Sequence, residues 1–104
     1  MKATINLFGE LHKITIKEHR YTDNGNIALQ AYSEGGEPFG KITVNTDSLF
    51  PQGCVLVKTY SENAAWVPQL LEQLPNNFRR TGVSVPLGFT SAEVWEYFPE
   101  SVNN

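Results

Sequence analysis

The sequence predicts an α+β domain, an antiparallel sheet of about six strands with one amphipathic helix packed on one face. Three observations carry that expectation. Apolar and polar residues alternate with period two over much of the chain, and Gly, Pro and Asn break the alternation at short intervals. One stretch, Ala64 to Leu74, switches to helical spacing. The run Cys54-Val55-Leu56-Val57 is apolar without alternation, as a strand buried on both faces would be.

In chain order, Thr4–Leu7 places Ile5 and Leu7 on one face. His12–Glu18 places Ile14 and Ile16 inward and Lys13 and Lys17 outward, giving a first hairpin that turns near Gly9. Asn24-Gly25 is strong turn chemistry. A second hairpin occupies Tyr21 to Asn45. Ile27, Leu29 and Ala31 share one face of its first arm, and Gly40, Ile42 and Val44 share one face of its second. Between the arms, Ser33–Pro38 supplies a Gly-Gly turn. Four consecutive strands with short connections form an antiparallel meander. Asp47–Gly53 reads as a loop, followed by the buried strand. Trp66, Val67, Leu70, Leu71 and Leu74 then make one stripe on a helix; Pro68 fits only its first turn, and Pro75 ends it. Arg80–Val85 is a further strand. Ser91–Phe98 suits either strand or helix, and its aromatic and β-branched content favours strand. Residues 1–104 read as one domain with a frayed tail from about Pro99.

Composition narrows the functional classes. Eight Lys and Arg face 11 Asp and Glu, for a net charge of −3. Residues 1–45 are balanced, so the negative charge falls in the second half. That total predicts no direct nucleic-acid binding and favours a basic protein partner. No apolar run approaches the ~20 residues that span a bilayer. With a single cysteine, the expected location is the cytoplasm.

Chemistry-bearing residues do not converge. His12 and His19 are seven apart, which on one strand puts them on opposite faces, and Cys54 sits in the most apolar strand. The expectation is no catalytic residue, no metal and no cofactor. Phe78-Arg79-Arg80 is the one basic-aromatic cluster, too small for a phosphate-binding stripe. Surface recognition remains: Glu34 and Glu37 in the hairpin turn, and Glu93, Trp95, Glu96 and Tyr97 near the C-terminus, offer steering charge and aromatic anchors to a partner. The competing assignment for Trp95 and Tyr97 is the core. Sheet edges offer a further route, to a partner or to a homodimer.

The segments Thr4–Glu10 (TINLFGE), Asn24–Tyr32 (NGNIALQAY), Gly36–Asn45 (GEPFGKITVN) and Thr81–Tyr97 (TGVSVPLGFTSAEVWEY) resemble a family of small domains of unknown function carried on bacterial and phage mobile elements. The resemblance brings no activity or catalytic residues. It implies an accessory protein of a mobile element, and hence a non-enzymatic inhibitor of a host-defence nuclease complex, anti-CRISPR-like, that blocks a protein surface. Its negative charge would then cover a nucleic-acid channel of the effector. The alternative is a small homo-oligomeric structural or regulatory module of such an element.

Overall fold

The computed structural model describes residues 1–47 and 51–99. Within them the chain forms strands β1 (Lys2–Leu7), β2 (Glu10–Arg20), β3 (Ile27–Tyr32), β4 (Pro38–Lys41) and β5 (Cys54–Val57). A 3-10 turn (Ser61–Ala65), helix α1 (Val67–Glu72) and strands β6 (Phe78–Leu87) and β7 (Thr90–Tyr97) follow. Most of the loop expected over 47–53 is described, but residues 48–50 and the tail from 100 onward lie outside the described residues.

The sheet count differs from expectation. The strands make two antiparallel sheets, one of four strands ordered β1-β2-β3-β4 and one of three ordered β5-β7-β6. The reason lies at Ile42 and Thr43. The Ile42 N–H donates to the Leu29 carbonyl at 3.0 Å, while the Ile42 carbonyl accepts from the Lys58 N–H at 2.8 Å. In a regular strand both groups of one residue point the same way. Here they diverge, so the chain bends out of one sheet and into register with the other through a Thr43–Val57 bridge. The Thr43 hydroxyl accepts the Leu29 N–H at 3.0 Å, filling the ladder position the bend vacates. The same bend separates residues expected on one face: Ile42 enters the main core, whereas Val44 packs against Cys54, Leu56, Ala92 and Val94.

Other expectations are met. Ile5, Ile14, Ile16, Leu29 and Ala31 are buried on one face of the first sheet, and all four residues of β5 are buried. The Ser91–Phe98 segment is a strand through Tyr97. Pro68 lies in the first turn of α1, and Trp66, Val67, Leu70 and Leu71 are buried between the sheets. Trp66 rests on Gly40: a Cβ there would lie 2.7 Å from the indole Cζ2. Phe39 meets the same indole edge-on at 5.1 Å. Asn63, buried one turn earlier, donates to the Lys41 carbonyl at 2.6 Å and ties this connection to β4.

Helix α1 also guards an edge. β1 is the outer strand of its sheet, and Asn6 presents its peptide groups outward. The Gln69 side chain accepts the Asn6 N–H at 2.6 Å and donates to the Asn6 carbonyl at 3.0 Å. Gln73 donates to the Thr4 carbonyl at 2.6 Å. Two side-chain amides thus take the place of a neighbouring strand. β6, an outer strand of the second sheet, is guarded differently, by a register shift between Arg80 and Val83 with Gly82 at φ +82° and by Pro86, which has no N–H to offer.

Two outcomes follow. Gly40→Ala forces the Trp66 indole to move and lowers unfolding free energy by about 1–3 kcal/mol in urea denaturation. The double variant Gln69→Leu, Gln73→Leu loses about 1–3 kcal/mol from three hydrogen bonds and sediments as a concentration-dependent mixture, because β1 is uncovered.

Candidate functional site

Strand directions alternate across both sheets and the bridge that joins them. The β1–β2, β3–β4 and β6–β7 turns therefore leave the sheets at the same end of the strands. Two of them are two-residue turns. Leu7 pairs with Glu10 around Phe8-Gly9, and Leu87 pairs with Thr90 around Gly88-Phe89. Right-handed strand twist demands positive φ in such turns. Phe8 and Gly9 supply φ of +53° and +87°, and Gly88 supplies +77°. Gly is at ease there, but for a bulky side chain the left-handed region costs about 1–2 kcal/mol. The Phe8 ring gains nothing from the fold in return, being 92% exposed. Phe89 is fully exposed at the other tip, and Leu11, just behind Phe8, is 74% exposed. Two stiff turns, one on each sheet, thus project large apolar side chains into solvent.

The six residues expected to bind a partner do not form one site. Glu34 and Glu37 are exposed in the β3–β4 turn, with Glu34 3.7 Å from the Lys13 ammonium. The other four lie on β7, in the other sheet. Trp95 and Tyr97 are 2% and 4% exposed, so the area expected to anchor a partner is packed in the core. Tyr97 stacks on Phe78 at 5.3 Å, and its hydroxyl donates to Glu18 at 2.8 Å. Glu93 and Glu96, three apart on a strand, face opposite sides. Each is matched by a base. Arg80 reaches Glu93 at 3.1 Å and Glu72 at 3.3 Å while lying over the Trp95 ring, and Trp95 Nε1 donates to Glu93. Arg79 reaches Glu96 at 2.6 Å. The steering charge of these two glutamates is largely cancelled by their neighbours. The Phe78-Arg79-Arg80 cluster is accounted for by the same contacts.

The ligand-type residues are dispersed. His12 turns inward against Phe39 at 5.4 Å, whereas the His19 Nε2 lies 3.4 Å from the Tyr32 hydroxyl on the outer face. Among the described residues, no group of three or more His, Cys, Asp or Glu is placed to hold a metal. No helix among them is long and apolar enough to cross a membrane. Burial pushes the Cys54 thiol above its ordinary value, and the Glu96 carboxylate on the paired strand adds to this.

Comparisons with protein-family models, with curated proteins and with solved structures find no match. The tips were missed in the sequence although a signal was present. Alternation on both sides of Phe8-Gly9 leaves room for only two turn residues, and that forces Phe8 to positive φ.

A raised thiol holds less thiolate at a given pH. In the folded protein at pH 8, Cys54 therefore reacts with a disulfide reagent at least ten-fold more slowly than in urea, as followed by thiol absorbance.

Proposed function

We propose that this chain is a non-enzymatic binding protein that blocks the surface of a larger protein, seating Phe8, Leu11 and Phe89 in apolar pockets of its partner. The observation that carries this reading is Phe8. An aromatic ring held at φ +53° and 92% exposed weakens the free domain, so its value lies in a contact outside it. Asn would fill the same turn position more favourably. Aromatic side chains on a rigid support are the usual anchors of protein recognition, because little conformational freedom is lost when they bind. The resemblance to domains of mobile elements directs the choice of partner to a host-defence nuclease complex, whose activity the bound protein would obstruct.

The test is titration of the purified protein into RNA-guided defence nucleases with target cleavage as the readout. Wild type inhibits, whereas Phe8→Asn inhibits at least ten-fold less while unfolding at higher urea, by about 1 kcal/mol. Phe89→Ser weakens inhibition without changing stability. Equal inhibition by wild type and both variants would remove the tips from the interface, and no inhibition of any such nuclease would remove the partner class.

A further inference from the structure

The four-stranded sheet has a solvent face that the core does not use and that shares only Leu11 with the hairpin tips. Cross-strand partners share a face, and the pairs Lys2–Thr15, Thr4–Lys13, Lys17–Gln30 and Gln30–Lys41 run across all four strands. Half of the eight basic residues of the chain, Lys2, Lys13, Lys17 and Lys41, therefore point outward from one surface, and all four are exposed. No carboxylate shares an outward strand position with them. Glu10 and Glu18 carry the inward parity of Ile14 and Ile16. Glu34 alone approaches, from the β3–β4 turn, and its contact with Lys13 joins two side chains that are 75% and 73% exposed, a pair that water screens. Among the described residues, Lys2, Lys17 and Lys41 have no carboxylate within ion-pair distance.

A net charge of −3 thus hides a segregation: the outward strand positions of one face carry four lysines and no carboxylate, with Glu34 reaching in from a turn, and the other carboxylates belong to turns, inward positions and other elements. The face also holds an aromatic ring. Tyr32 lies beneath the Lys17 ammonium, 5.0 Å from its centroid, with His19 at its hydroxyl. An open depression of about 420 Å³ runs beside it, lined by Lys2, Thr4, Lys13, Thr15 and Glu34 among others.

We propose that this face binds single-stranded nucleic acid, with the four lysines on phosphates and a base taking the place of the Lys17 ammonium over the Tyr32 ring. Cations that bracket an aromatic on an open sheet match the alternation of phosphate and base along a single strand. A duplex is a poorer occupant, because a sheet face without a ridge does not enter a groove. An anionic membrane is poorer too, since among the described residues Leu11 is the only large aliphatic side chain exposed there. This inference is independent of the hairpin tips and of the protein-partner reading. It runs against the expectation, drawn from net charge, of no direct contact with nucleic acid.

The experiment is fluorescence anisotropy of a labelled twelve-nucleotide oligo-dT with the intact protein at 50 and 200 mM salt. Four phosphate contacts weaken binding about fifty-fold between these two conditions. Lys13→Gln, Lys17→Gln and Lys41→Gln, all at exposed positions, each weaken binding at 50 mM salt and flatten the salt dependence, and Lys58→Gln, on another element, does not. No binding at 50 mM salt would overturn the proposal, as would equal weakening by Lys58→Gln. Sedimentation with phosphatidylserine vesicles in the absence of oligonucleotide binding would assign the face to a membrane and overturn it as well.

Discussion

The architecture depends on the divergence of two peptide groups at Ile42. A strand that stayed regular through this point would extend a single twisted sheet with its apolar side open to water. Because the Ile42 N–H and carbonyl point to different neighbours, the second sheet swings over the first, and both contribute to one core. Thr43 makes the bend sustainable, since its hydroxyl serves the Leu29 N–H and also meets the Tyr21 hydroxyl at 3.1 Å. A bend with an orphaned buried amide would cost about 1–3 kcal/mol. Once the sheets face each other, the gap between their outer strands must be filled. Helix α1 fills it, with Trp66 on Gly40 at one end and Arg80 reaching Glu72 at the other.

Most of this fold was legible as local pattern. Strand parity named Ile14, Ile16, Leu29 and Ala31 as core residues, the unbroken apolar run marked a strand covered on both faces, and Pro68 located the helix start. The second sheet was not legible, because the bend is a property of three hydrogen bonds made by residues far apart in the chain. Ile42 and Val44 alternate as faithfully as any other pair, and nothing local distinguishes the threonine between them as a corner. The register shift near Gly82 escaped for the same reason.

Function was less legible, and the reasons are again physical. Trp95 and Tyr97 have the side chains of good anchors, but the same size and apolarity make them the best fillers for the space between two sheets, and the second demand prevailed. Charge totals were counted along the chain, whereas a strand distributes charge by parity. Lys13 and Lys17 could be assigned outward from sequence, but their alignment with Lys2 and Lys41 required the pairing register. Glu93 and Glu96 read as a doublet until the strand separated them and the adjacent arginines met each one.

The glutamines that occupy the outer side of β1 have a chemical consequence. Gln73 holds a carbonyl through its amide N–H, and Gln69 uses both ends of its amide on one residue of the strand. Slow hydrolysis of either amide would leave a carboxylate, which has no proton to give at neutral pH, facing a peptide oxygen. Attraction would become repulsion at the seam that closes the molecule. A carboxylate at either position would therefore loosen α1 from β1 without touching the core.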